Sequence, residues 1–349
     1  MKFDKIIATG GIGTGMLFLS SRQEALGRSE SRPVTLSSAK DYCKQQIVLY
    51  YAAALLKDTI PVYPVGYVGA DSSGRAIIED MRKQGMDVKH ISQSPDFPTT
   101  ISICLQYPDR ETCNFTADNS ASGLVTPEYI KEAMAQIGVD EKTIVCAIPE
   151  VPVASRAEMV RSGKMRGALT VLSVPVSEAE EFEALSIYRH VDILAVNLEE
   201  AQAVAHSRET GTKLLWQLAD KLAESNPCLS ILMTCGKEGA YTLVSQTVER
   251  IPPLPGNAIN TTGAGDAFLG GTLAGIARGM ELQKGRSDRV FGESALSSAP
   301  ELGTVCAGMA VECEDSIAFH VSPLTIQELI CKKGWAAGEH FIKLAGRMG

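Results

Sequence analysis

The chain has 349 residues, 45% of them apolar and 21% charged, and a net charge of −8. That composition is enough for a sizeable core, argues against disorder and fits one large α/β domain or two ordinary ones. The acidic balance speaks against a nucleic-acid partner and for a soluble protein that binds small molecules.

The longest apolar run, Ile47 to Leu56, is ten residues, whereas a membrane-spanning helix needs about 20. The opening Lys2-Phe3-Asp4-Lys5 does not read as a signal peptide. Nine cysteines are scattered without a Cys-x-x-Cys pair, which points to reduced thiols and a cytoplasmic protein without a zinc site.

Taken in order, Ile6 to Ala8 reads as a short strand running into Gly10-Gly11-Ile12-Gly13-Thr14-Gly15. The glycine spacing is not Gly-x-Gly-x-x-Gly. Met16-Leu17-Phe18-Leu19 reads as a strand, not the helix a dinucleotide turn requires. Residues 22 to 36 are polar, an excursion above the sheet. Ser38-Ala39-Lys40-Asp41 reads as a capping box opening a helix through Leu56. A strand is expected at Pro61 to Tyr67, then a glycine-permitted turn, a helix to Gln84 closed by Gly85, and a strand at Val88 to Ile91. Thr100 to Gln106 and Thr112 to Thr116 read as a hairpin around Tyr107-Pro108-Asp109-Arg110-Glu111.

From residue 125 onward, helical and strand patterns alternate as a parallel sheet requires, with strands near Thr143–Ile148, Leu169–Val174, Ile193–Val196 and Ile231–Thr234. Ile148-Pro149-Glu150 puts an acid beyond a strand's carboxyl end, making Glu150 a substrate-site candidate, with a solvated loop acid as the plainer reading. Asn197-Leu198-Glu199-Glu200 opens a helix after a strand, and Thr234-Cys235-Gly236-Lys237-Glu238-Gly239 is a turn at another strand's end. Residues 280 to 303 are polar, Thr304 to Val311 is a helix of small residues, and Ser322-Pro323 starts a last helix.

The chemistry concentrates in Asn260-Thr261-Thr262-Gly263-Ala264-Gly265-Asp266-Ala267-Phe268. A helix start offers unpaired N–H groups and the positive end of the peptide dipoles, an anion site to which glycines allow close approach. Asp266 places a carboxylate beside it. Such a pair suits phosphoryl transfer: the Asp takes the proton of an attacking hydroxyl while the N–H groups of Gly263, Ala264 and Gly265 stabilise the transferred group. Helix capping by Asp266 is the plainer alternative.

This nonapeptide resembles the second signature of the PfkB, or ribokinase-like, carbohydrate kinase family, except that Asn260 replaces the family's usual first Asp. The resemblance extends over most of the chain and implies a ribokinase-like α/β fold: one domain over 1–349, a mostly parallel sheet flanked by helices, and a small β-lid from segments 16–36 and 97–120. It implies Asp266 as base and Gly263, Ala264 and Gly265 as anion hole. Asn197 and Glu200 would organise Mg²⁺ through water, and Thr234, Gly236 and Gly239 would border ATP. A monovalent cation stays unassigned because of Asn260. The acceptor half departs from the pattern: Gly13 stands in the substrate loop where relatives carry Asp or Asn, and Ser37 to Tyr42 replaces a Gly-Gly-x-x-x-Asn run. Asp41 is there either a substrate ligand or a cap. Lid hairpins of such folds also pair across a homodimer. The expected reaction is ATP-dependent phosphorylation of a small sugar. A nucleoside kinase, with aromatics near Tyr42 or Phe97 in its pocket, and a non-catalytic ligand-binding relative are the alternatives.

Overall fold

Short β-branched and aliphatic runs alternating with amphipathic helices leave the backbone a parallel sheet as the way to pair its polar groups. The computed structural model describes residues 2–57, 59–109, 112–284 and 290–341. The first third carries β1 (Lys5–Thr9), β2 (Gly13–Leu19), β3 (Thr35–Tyr42), α1 (Lys44–Leu56), β4 (Val62–Gly69), α2 (Ser72–Lys83), β5 (Ile91–Ser94), β6 (Thr100–Gln106) and β7 (Thr112–Thr116). The middle carries α3 (Pro127–Ile137), β8 (Thr143–Ala147), α4 (Val153–Met165), β9 (Leu169–Ser173), α5 (Ala179–Ala184), β10 (Ile193–Asn197), α6 (Leu198–Ala205) and α7 (Gly211–Ala223). The last part carries β11 (Ser230–Thr234), β12 (Ala240–Val244), β13 (Thr247–Ile251), α8 (Ala264–Ala277), α9 (Ala299–Val311) and α10 (Pro323–Lys333).

The main sheet has nine strands in the order β13-β12-β11-β10-β9-β8-β1-β4-β5. From β5 to β11 neighbours run parallel, and β12 and β13 close one edge antiparallel. Side chains alternate across the sheet. Ile6, Ala8, Ile144, Val171, Ile193 and Leu232 face a core with α1, α8, α9 and α10. Leu172, Leu194, Ile231 and Met233 face the opposite core with α4 to α7, and Ile7 and Val145 pack with α3 and α4. The sheet therefore lies between two helical layers. Strand order reverses beside β1, with β4 and β5 laid down on one side and β8 onward on the other, and ligands of open α/β sheets collect beyond the strand ends at such a point.

A second sheet, β3-β2-β6-β7, stands over this point. Its alternation is inverted relative to a solvated sheet. Thr100, Ser102, Cys104 and Gln106 are buried, whereas Ile101, Ile103, Leu36 and Phe115 are exposed. Gln106 donates to Asn260 Oδ1 at 3.2 Å, so the polar face is turned onto the segment leading into α8.

The structure corrects three local expectations. No capping box forms at Ser38–Asp41: β3 runs through Tyr42, paired to β2 at Gly15–Asp41 and Thr14–Tyr42, and α1 begins at Lys44 behind an N-cap Cys43 without a side-chain cap. Sheet pairing satisfied the backbone that capping would have served. Val88–His90 is a single 3₁₀ turn capped by Asp87, and the strand starts at Ile91. The helix expected from Thr304 begins at Ala299, because the Glu301 carboxylate accepts the Ser298 N–H at 2.9 Å. Arg110 and Glu111 of the hairpin turn and residues 285–289 of the polar stretch lie outside the described residues.

Helices α8 and α9 meet where Gly303 leaves no side chain. A Cβ there would lie 2.3 Å from Thr272 Oγ1 and 2.4 Å from the Phe268 carbonyl. Gly303→Val should therefore cost about 1–3 kcal/mol of stability, read as a lower urea midpoint at unchanged slope; an unmoved midpoint would show that the helices do not depend on this contact.

Candidate active site

The turn into α8 is fixed by the Asn260 amide. Its Oδ1 accepts the Thr262 N–H at 3.0 Å, and its Nδ2 donates to the Glu314 carbonyl at 2.8 Å. With an amide donor on that carbonyl, the loop gives a monovalent cation no assignment. Gly263 occupies the N-cap with φ 79°, and a Cβ there would meet the Ser316 carbonyl at 2.5 Å, so the turn requires glycine. The Ala264 N–H is engaged by the Thr261 carbonyl at 3.2 Å, while those of Gly263 and Gly265 have no acceptor among the described residues. Asp266 follows in the first turn of α8, half-buried. Burial pushes its carboxyl up to about 7, with Lys44 opposing and Glu150, Glu200 and Asp41 adding to the rise.

Asn197 and Thr234 are register partners at the carboxyl ends of β10 and β11. Asn197 Oδ1 accepts the Glu200 N–H at 2.9 Å, and Glu200 Oε2 accepts the Asn197 N–H at 2.8 Å, a completed capping box. The capping reading is therefore realised, and it leaves Glu200 Oε1 facing Lys44 Nζ at 3.7 Å. Glu200 is buried, and burial raises its carboxyl against the pull of Lys44. Thr234 comes to the same place, its Oγ1 lying 3.9 Å from where a Cβ on Gly265 would stand. Gly236 and Gly239 form the turn after β11, closed by the Cys235 N–H on the Gly239 carbonyl at 2.8 Å. Glu200 suits Mg²⁺: it is a hard oxygen donor with one oxygen spent on the cap and the other turned to the cleft.

On the acceptor side, Glu150 follows β8 at the switch point with φ 77°, a strained backbone for a non-glycine residue. Its Oε2 accepts the Lys44 N–H at 3.1 Å, and burial raises its carboxyl, opposed by Lys44. Asp41 is buried in β3, its Oδ1 accepting the Tyr42 N–H at 2.9 Å, and burial raises it too, with Ser316 and that N–H opposing. Gly13 opens β2 and its carbonyl accepts the Cys43 N–H at 3.1 Å. Tyr42 packs edge-on against Phe319, 5.9 Å between ring centres, and Phe97 is exposed.

Lys44 was not singled out by sequence reasoning. It occupies the first position of α1, the end of a helix that disfavours a cation. Burial works against its charge, but Glu200, Asp266 and Glu150, from three other elements, hold the ammonium above its ordinary value. The misplaced charge at a helix start was the available signal, legible only once the partners are known.

The family model described as pfkB family carbohydrate kinase matches residues 48–319. The chain belongs to this family. It is a kinase, and membership implies ATP use. A ribokinase of Staphylococcus aureus strain COL is 27% identical over 232 residues, 66% of this chain and 73% of that protein. The ribokinase structure from Giardia lamblia superposes with a TM-score of 0.75 at 19% identity, covering 93% of this chain and 99% of its own. That of Cryptococcus neoformans var. grubii serotype A, in complex with ADP, gives 0.74 at 18%, covering 93% and 99%. The ribokinase-like fold follows from these likenesses. The family match begins inside α1, after β1, β2, β3 and Lys44. Among the described residues no helix is long and apolar enough to cross a membrane.

A carboxyl raised to about 7 from the ordinary 3.8 binds its proton more tightly folded than unfolded. Its stabilising contribution is full below about pH 4 and is lost as pH rises through about 7. Asp266→Asn should therefore gain stability relative to the parent between pH 5 and pH 8, measured by urea unfolding; a gap independent of pH would contradict the raised Asp266.

Proposed function

We propose that the protein transfers the γ-phosphoryl group of ATP to a hydroxyl of a small, neutral sugar, with the whole chain acting as one kinase domain under the β3-β2-β6-β7 lid. The observation that carries this reading is Asp266 beside the open N–H groups of Gly263 and Gly265, with Thr234, Asn197, Glu200 and Lys44 gathered at the same strand ends. Asp41 and Glu150 offer carboxylates to sugar hydroxyls, and Gly13 offers backbone alone. A sugar is favoured over a nucleoside because Tyr42 is spent on Phe319.

In this reading Asp266 accepts the proton of the attacking hydroxyl, and its raised affinity for a proton suits a base working near neutral pH. The N–H groups of Gly263 and Gly265, with the dipole end of α8, stabilise charge on the group in flight. Thr234, Gly236 and Gly239 border the triphosphate. Glu200, oriented by Asn197, would hold Mg²⁺ through water, and the metal when bound supplies charge neutralisation at the phosphates. The lid's polar face excludes water, so that the hydroxyl and not water is phosphorylated.

The test is ADP release with Mg²⁺ and ATP across pentoses, hexoses, sugar phosphates and nucleosides. One neutral sugar should stimulate release well above background. Asp266→Ala should reduce turnover about 10³-fold or more while ATP still binds by calorimetry. Turnover surviving in that variant would remove Asp266 as base, and stimulation by nucleosides alone would replace the sugar reading.

We infer further that the lid's apolar outer face, with Phe115 68% exposed beside Ile101, Ile103 and Leu36, pairs with a second copy of the chain, since patches of this kind mark interaction surfaces. Ile103→Glu should turn a sedimenting dimer into a monomer; a parent that sediments as a monomer at micromolar concentration would reject the pairing.

A further inference from the structure

The cleft gathers carboxylates from four segments of the chain. Asp41 from β3, Glu150 from the turn after β8 and Glu200 from α6 each add to the rise of Asp266 on α8, and Asp41 adds to that of Glu150. Where these groups are ionised they repel a triphosphate. Lys44 is the cation set against them. Arg156 also acts on it, but that guanidinium is fully buried, paired with Glu178 and stacked on Phe182 at 4.9 Å.

Three features make Lys44 more than a charge balance. Its side chain is half-buried, one-third exposed, among the strand-end carboxylates. Its Nζ stands 3.7 Å from Glu200 Oε1, the oxygen that the Asn197 cap leaves unused, so the ammonium sits beside the strand ends. Its backbone is pinned, because the Lys44 N–H donates to Glu150 at 3.1 Å, which fixes the root of a flexible stem on the acceptor side.

We propose that Lys44 is a catalytic residue of this kinase, whose ammonium leaves Glu200 and carries negative charge on the phosphoryl group while it passes from nucleotide to acceptor. The acceptor oxygen forms its bond to the γ-phosphorus as the bond to the β-phosphate oxygen breaks. The hydroxyl proton goes to Asp266 and ADP departs with the electron pair. Lys44 neither gives nor takes a proton. The assignment rests on the kinase reading above.

The experiment compares the parent, Lys44→Met, Lys44→Arg and Asp266→Asn with the acceptor found in the panel, and measures ADP affinity with and without aluminium fluoride in Mg²⁺ buffer. Lys44→Met should lose about 10²- to 10³-fold in kcat, as removal of a transition-state donor does. KM values should stay within about threefold, and Lys44→Arg should recover part of the loss. Aluminium fluoride, which mimics the phosphoryl group in flight, should tighten ADP on the parent and fail to do so on Lys44→Met, with ADP alone bound equally by both. Equal tightening in both proteins would overturn the assignment. So would a raised acceptor KM at full kcat, which would make Lys44 an acceptor ligand. If the parent turns over, Asp266→Asn is dead and Lys44→Met works within about fivefold, Lys44 alone is wrongly assigned. A parent that phosphorylates nothing in the panel removes the kinase reading and Lys44's role with it.

Discussion

Everything in the cleft depends on where α8 begins, and that is set by how closely α8 packs. The helix is buried along nearly its whole length from Ala267 to Ala277, wedged between α1 and α9, and at Gly303 the neighbouring backbone comes within a side chain's width. A helix held so tightly cannot slide or tilt, because cores are packed as densely as crystals. Its first turn therefore keeps the N–H groups of Gly263 and Gly265 and the Asp266 carboxylate in a fixed place beyond the strand ends. Such preorganisation is what an anion site needs, since no energy is then spent on reorganising dipoles when charge arrives.

The second constraint is electrostatic. The switch point beside β1 gathers acids from separate elements, and the half-buried Lys44 at the start of α1 is set against their charges. That arrangement is costly at rest, as the upward shifts of Asp266, Glu150 and Glu200 show. The strained φ of Glu150 adds to it. Strain and unfavourable charge at one spot mark a place where stability is exchanged for chemistry. The inverted second sheet belongs to the same economy: Thr100, Ser102, Cys104 and Gln106 of β6 are buried, and Ile101, Ile103, Leu36 and Phe115 are left outside.

Much of the fold was legible because one physical signal at a time sufficed. The hairpin strands Thr100–Gln106 and Thr112–Thr116 were read at their observed limits, since alternation and a proline turn mark both ends. The four strands from Thr143 onward were placed within a residue or two, as buried aliphatic runs between helices must be. Where two signals competed, the local one lost. Ser38–Asp41 has the composition of a helix start, but β2 offered it a partner. Ser298-Ala299-Pro300-Glu301 is the reverse case: the capping signal was present and the polar composition around it concealed a helix.

The sequence by itself determined the α/β class, the glycine turn at 260–268 that opens a helix and the pairing of Asn197 with Glu200, because each is a local pattern whose physics lies within a few residues. Tertiary structure alone decided that Asp41 is buried in a strand of the second sheet, that the Asn260 amide holds the Glu314 carbonyl, and that Lys44 stands among Glu150, Glu200 and Asp266. Those relations join residues from 26 to more than 200 positions apart. A charge's meaning depends on what surrounds it through space, and burial and distance are properties that only the folded chain possesses.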